Sequence, residues 1–74
     1  MQEKREQVRI LLVKYFLSIN WLVNQLNRRG FIVTQQALAN YIAGRRNRGD
    51  AERVLDVSIE ILEEYGKHYD EVQS

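Results

Sequence analysis

The chain has 74 residues, a net charge of +1 and no cysteine, so it makes one small domain that neither disulfides nor thiol-ligated metal sites can reinforce. The single histidine, His68, has no spaced ligand partners, and no nucleophile–base pair or phosphate-cradling glycine loop is present, so we expect no enzyme, no metal and no cofactor. Its apolar runs are too short and too interrupted to span a bilayer, and none reads as an export signal, which favours a cytoplasmic protein without membrane contact.

The net charge hides a strong asymmetry between the two parts of the chain. Residues 1–49 contain nine Lys and Arg against two acids, a net charge of +7, whereas residues 50–74 contain two basic residues against eight acids, a net charge of −6. Such asymmetry is typical of a basic face offered to an anionic partner, although ordinary solvated helix faces would give the same count.

Two helices are predicted before residue 30. From Glu3 to about Leu17 the apolar residues recur with the spacing of an amphipathic helix. Ser18 and Asn20 are both plausible N-caps, so we favour a bend there over one continuous helix across residues 4–29. Gly30 should end the second helix as its C′ residue. The apolar positions are Val8, Leu11, Leu12, Tyr15, Phe16 and Ile19 in the first helix and Trp21, Leu22, Val23 and Leu26 in the second.

A short third helix is predicted between Thr34, as N-cap, and Gly44, as the stop. The apolar link Phe31–Val33 that precedes it should tuck into the core. The inward stripe of this helix comprises Ala37, Leu38, Tyr41 and Ile42.

The last predicted helix begins after Asp50, runs from Ala51 to Tyr65 and ends at Gly66. We therefore expect an all-α fold, a compact four- to five-helix domain over residues 1–66 with a helix-turn-helix, followed by a polar tail over residues 67–74. The inward positions of this helix are Val54, Leu55, Ser58, Ile61, Leu62 and Tyr65.

The segment from Asn20 to Arg48 has the order that a DNA-reading helix-turn-helix needs: helix, glycine turn, short capped helix and arginines. Gln36 and Asn40 are four residues apart, share one helix face, and can each pair bidentately with adenine in the major groove. The predicted base contacts are Gln36, Ala39 and Asn40, and the predicted phosphate contacts are Thr34, Gln35, Arg28, Arg29, Arg45, Arg46 and Arg48. An ordinary polar helix start and a solubilising basic loop are the simpler interpretations of the same residues.

The run Thr34-Gln35-Gln36-Ala37-Leu38-Ala39-Asn40-Tyr41-Ile42-Ala43-Gly44-Arg45-Arg46 resembles the recognition helix and its basic ending in the lambda-repressor-like helix-turn-helix family, which includes Cro-type phage regulators. The resemblance covers Trp21 to Tyr65. It implies that Gln35 touches phosphate, that Gln36, Ala39 and Asn40 face bases, and that the last helix packs behind them.

Two functions follow as hypotheses. The first is a sequence-specific regulator of phage or mobile-element type that binds double-stranded DNA, as a homodimer joined through exposed Val13, Leu17, Val57 or Ile59. The second is a protein-interaction module (an antirepressor, antitoxin or phage inhibitor) that docks on a host or phage protein. Its basic partner would meet the acidic residues of the last helix, which are Asp56, Glu60, Glu63 and Glu64.

Overall fold

The computed structural model describes residues 2–45 and 50–73, and within these ranges the chain is all helical. In chain order the helices are α1 (Gln2–Lys14), α2 (Ile19–Arg28), α3 (Gln35–Ala43) and α4 (Ala51–Gln73). The all-α class and the lower of the two expected helix numbers are thus confirmed for the described residues. No helix within them is both long and apolar enough to cross a membrane.

Side-chain caps fix where α2 and α3 begin. The Ser18 hydroxyl accepts a hydrogen bond of 3.1 Å from the backbone N–H of Trp21, and the Thr34 hydroxyl accepts one of 3.1 Å from that of Ala37. Both caps have extended backbone angles, as this geometry requires. The bend between α1 and α2 is therefore confirmed, with Ser18 rather than Asn20 as the cap.

Glycines end α2 and α3 in left-handed conformations, with φ of +95° at Gly30 and +80° at Gly44. The N–H of Gly30 bonds to the Asn27 carbonyl at 3.1 Å, and the N–H of Phe31 reaches back to the Leu26 carbonyl at 3.0 Å. This pair of bonds is the Schellman motif, which satisfies the last carbonyls of a helix. Both glycine stops predicted here are confirmed.

Helix α1 ends with the same motif, although its left-handed residue is Phe16, with φ of +57°. The Phe16 N–H bonds to the Val13 carbonyl at 3.2 Å, and the Leu17 N–H bonds to the Leu12 carbonyl at 2.8 Å. The reversal turns the Phe16 ring into solvent. The prediction that Phe16 lies on the inward face is wrong, because the helical periodicity stops at Lys14.

The core lies between α4 and the other three helices, each of which packs against it. Ser58, the buried polar residue of α4, donates from its hydroxyl to the Val54 carbonyl at 2.7 Å and is thus satisfied within its own helix. In the link before α3, Phe31 and Val33 pack against the core, but Ile32 is exposed, so the prediction that the whole link is buried is wrong. The buried cluster comprises Val8, Leu12, Leu22, Val23, Leu26, Leu38, Ile42, Val54, Leu55, Ile61 and Leu62.

Gly66 does not end the last helix, and residues 67–73, expected to be a polar tail, continue α4. Gly66 is buried where Tyr15, directly after α1, packs on α4, and a Cβ on residue 66 would overlap the Tyr15 hydroxyl. The Tyr15 ring then meets Tyr65 at 5.5 Å and Tyr69 at 5.4 Å between centroids. The glycine is thus explained by a close helix–helix approach rather than by a helix end.

This packing predicts that Gly66→Ala destabilises the protein, although alanine is the better helix former by about 1 kcal/mol. The added methyl group would displace Tyr15, and overpacking of this kind costs about 1–3 kcal/mol. Urea denaturation followed by the fluorescence of Trp21 measures the change. Lys67→Ala, at the exposed neighbouring position, is the control and should be nearly neutral. A Gly66→Ala variant more stable than the parent would contradict the close approach.

Candidate nucleic-acid interface

Helix α3 has one buried and one open face. Leu38 and Ile42 are buried against the other helices and anchor α3 to the core. At 100° per residue, Gln36, Asn40 and Ala43 fall on the opposite side. Gln36 and Ala43 are exposed there and Asn40 is half-buried. The structure thus brings Gln36 and Asn40 together on one outward face.

The other predicted base-facing residue, Ala39, is half-buried beside them. At 100° per residue Ala39 lies on the flank of the face that Gln36 and Asn40 share, rather than between them.

The N-terminal end of α3 offers backbone donors. Thr34 accepts from the Ala37 N–H through its hydroxyl and from the Leu38 N–H, at 3.0 Å, through its carbonyl. The N–H groups of Gln35 and Gln36 precede these and have no partner within the helix. Together with the positive end of the helix dipole they suit an anion such as a phosphate.

The C-terminal end of α3 holds a polar pair. Nη1 of Arg45 donates a long hydrogen bond of 3.5 Å to Oδ1 of Asn40, and both groups are accessible. This contact leaves one lone pair on Oδ1 and both N–H donors of the Asn40 amide for an external partner. Arg45 therefore lies beside the outward face and biases the orientation of the Asn40 amide.

Some of the chain's cations are already paired with carboxylates of α4. Nζ of Lys4 lies 2.9 Å from both Glu52 and Asp56. Hydrogen bonds to Asp56 first and to Glu52 second raise the pKa of Lys4 above its ordinary value of 10.5. Because a raised lysine pKa means that the folded state holds the proton more tightly, the contribution of protonated Lys4 to stability is fully present where the pH lies below 10.5 and the carboxylates are ionised, and it is lost as the pH rises through the folded pKa.

Of the two arginines at the end of α2, Arg29 is paired and Arg28 is exposed. Nη2 of Arg29 lies 2.8 Å from Oε2 of Glu64, in an exposed ion pair of the kind that contributes little to stability and rearranges readily. Arg28 has no ion pair among the described residues. Of these two predicted phosphate contacts, Arg28 is therefore the more available for an external partner. Two further predicted contacts, Arg46 and Arg48, lie outside the described residues.

Helix α1 contributes two arginines that the sequence analysis did not select. Arg5, Glu6 and Arg9 line a groove of about 240 Å³ together with Ile42 and Ala43 of α3. The groove places the α1 side chains along the C-terminal half of the α3 face. Only the packing of α1 on α3 creates this neighbourhood, so local sequence patterns carry no signal for it.

Arg5 also lies over the turn that ends α3. Its Cζ and Nε atoms are each 3.0 Å from the point where a side chain on Gly44 would begin. Gly44 is therefore favoured by its positive φ, whereas the Arg5 guanidinium, the end of a flexible side chain, could shift to admit a Cβ. This contact holds the C-terminal end of α3 against α1.

Comparisons of this chain with protein-family models, with curated proteins and with solved structures gave no match. Within the ranges that the structure describes, no group of three or more His, Asp or Glu residues is arranged to hold a metal ion. The function of the α3 surface must therefore be inferred from the residues and the geometry of this chain.

The cap geometry predicts the effect of substitutions at Thr34. Thr34→Ala removes the acceptor for the Ala37 N–H and should lower the free energy of unfolding by about 1 kcal/mol, whereas Thr34→Ser keeps the acceptor and most of the stability. Thermal denaturation of the three proteins measures the difference. Equal stability of the alanine and serine variants would show that the hydroxyl does not cap α3.

Proposed function

We propose that this protein is a cytoplasmic, sequence-specific regulator that binds duplex DNA, with α2 and α3 as a helix-turn-helix and α3 in the major groove. The observation that carries the proposal is the pairing of Gln36 and Asn40 on the open face of a helix whose other face is anchored by Leu38 and Ile42. An anchored helix with outward amides is what base reading in the major groove requires.

The amide chemistry of this face suits adenine. Glutamine and asparagine each present one acceptor and one donor group, which match the N6 donor and N7 acceptor of adenine. Gln36 and Asn40 are one helical turn apart, about 6 Å along α3, so they can address neighbouring base pairs. Ala39, on the flank of the same face, has a methyl group that can contact a thymine methyl group.

The charges around α3 suit the phosphate backbone. Arg45 at its C-terminal end, Arg9 in the α1 groove and Arg28 at the end of α2 are exposed and have no ion pair among the described residues. The N–H groups of Gln35 and Gln36 supply further donors at the other end. Contacts of this kind position a protein on DNA, whereas base contacts select the sequence.

The resemblance to lambda-repressor-like regulators supports the same proposal, and with it a role as a repressor of a phage or mobile element. The connection between α2 and α3, residues 29–34, contains the Schellman turn at Gly30 and the Thr34 cap. These two devices fix the end of one helix and the start of the next, as a helix-turn-helix requires.

A protein-interaction role is supported by the outer surface of α4. Glu60, Glu63 and Glu64 line one groove of about 480 Å³ with Leu11 and Lys67. Such a surface suits a basic partner protein. A pull-down that yields a stoichiometric protein complex, lost on reversing Glu60 and Glu63 to lysine, together with no binding to duplex DNA, would favour this alternative.

The base-reading role of Gln36 is tested by Gln36→Ala on a duplex selected from a randomised pool. We expect a loss of about 1–3 kcal/mol on the preferred duplex and a loss of discrimination at one base-pair position. Fluorescence anisotropy titrations against the preferred duplex and its single-site variants measure both. Asn24→Ala, which removes an exposed amide from α2, is the control. Equal weakening of preferred and unrelated duplexes would contradict base reading by Gln36.

The phosphate role of Arg45 predicts a change in salt dependence. Arg45→Ala should weaken binding to all duplexes by similar factors and make the slope of log K against log salt shallower by about 1. Lys67→Ala removes the same charge from the acidic part of the chain and should leave the slope unchanged. Identical slopes for Arg45→Ala and the parent would exclude this contact.

A further inference from the structure

The outer face of α1 carries large apolar side chains that the fold does not use. Ile10 is 60% exposed, Val13 71% and Phe16 91%. They follow one another at intervals of three residues, so Ile10 and Val13 lie side by side on the helix and Phe16 extends the row beyond its end. We call these three residues the α1 stripe. A row of this kind, rimmed by charged residues, marks an interaction surface rather than the scattered apolar exposure that is normal for a monomer.

In a single copy of the chain, Phe16 makes no contact that would offset the cost of its backbone conformation. It occupies a left-handed conformation, φ +57°, which strains every residue except glycine, and Gly30 and Gly44 hold the equivalent place in the other two Schellman turns. Its ring makes no compensating contact with the core, since it is almost fully exposed. A strained backbone that presents a bare aromatic ring indicates that the ring is used in an interaction.

Charge complementarity identifies the partner. Glu6 precedes the stripe and Lys14 lies at its C-terminal end, and both are exposed on α1. Among the described residues neither has an ion-pair partner, and Lys14 only approaches the ring of its neighbour Tyr15, at 5.3 Å. The stripe therefore has the unpaired carboxylate of Glu6 before its start, with Arg9 exposed nearby, and the ammonium group of Lys14 at its end.

We propose that the α1 stripe binds the α1 stripe of a second copy of this chain, with the two helices antiparallel. In that orientation a two-fold axis near Ile10 places Glu6 of each copy opposite Lys14 of the other, because both residues are four positions from Ile10. The symmetric contact therefore gains two ion pairs at its ends while Ile10 and Val13 pack between them. Phe16 of each copy then covers the flank of the neighbouring helix.

This dimer shares only Val13 with the contacts considered from the sequence alone. Of the four residues suggested there, Val13 is exposed, whereas Leu17, Val57 and Ile59 pack against the core. The proposal does not depend on DNA binding, because the stripe lies on the solvent side of α1, away from the residues that line the α3 groove other than Glu6 and Arg9. Its test uses the protein alone.

Sedimentation equilibrium of the full chain from micromolar to millimolar concentration tests the dimer. We expect a reversible monomer–dimer equilibrium, and we expect Val13→Glu to raise the dissociation constant at least about tenfold, the equivalent of 1.4 kcal/mol. Asn24→Glu, which adds the same charge at an exposed position of α2, should leave it unchanged. A parent protein that stays monomeric at 1 mM, or a dimer that Val13→Glu leaves intact, would overturn the proposal.

A charge exchange tests the antiparallel orientation. Glu6→Lys and Lys14→Glu should each weaken the dimer about tenfold, since each places like charges together, and the double variant should return the dissociation constant to within about threefold of the parent. Failure of the double variant to recover would overturn this orientation. Phe16→Gly provides a check that loss of folding cannot mimic, because it should stabilise the monomer against urea and at the same time weaken the dimer.

Discussion

The packing of α4 on the other three helices is the constraint on which the rest of the structure depends. A chain of 74 residues without disulfides has only a small hydrophobic core to stabilise it. Helix α4 supplies a row of buried residues to this core, from Val54 to Leu62. The contact of Tyr15 with Gly66 brings α1 close to this helix, and it joins α1 to the aromatic rings of Tyr65 and Tyr69. Helix α3 packs against both α1 and α4, and α2 packs against α3 and α4.

The same arrangement separates the charges of the molecule. Carboxylates of α4 neutralise Lys4 and Arg29, so these cations add less to the positive surface potential than unpaired cations do. Among the cations without such partners in the described part of the chain, Arg45 lies at the end of α3 and Arg9 lines the groove between α1 and α3, whereas Lys14 and Lys67 lie elsewhere. The acidic part of the sequence thus forms the exposed face of α4. Exposed arginines of the basic part lie at the C-terminal end of α3 and in the groove beside it. This separation is what favours a polyanionic partner at α3.

Local rules predicted the helix boundaries wherever a boundary is made by local bonds. The cap at Thr34 and the left-handed glycine at Gly44 are of this kind, because each depends on residues within one turn. The same rules failed where contacts between helices determine the conformation or the role of a residue. Gly66 has the local signature of a helix end, but its role is to admit Tyr15, and Phe16 continues the apolar periodicity of α1 although the helix has already ended. The outward amides of α3 followed from spacing, whereas Arg9 joins that surface only through the packing of α1 on α3.

Mapping of the DNA-bound surface by NMR tests the central claim most directly, since a chain of this size gives resolved backbone and side-chain amide signals. Titration of the labelled protein with its selected duplex should shift the backbone amides of residues 34–45 and the side-chain amides of Gln36 and Asn40, while the amides of residues 58–66 in α4 change little. Shifts confined to α4, or no shifts at millimolar DNA, would contradict the claim that the open face of α3 reads DNA.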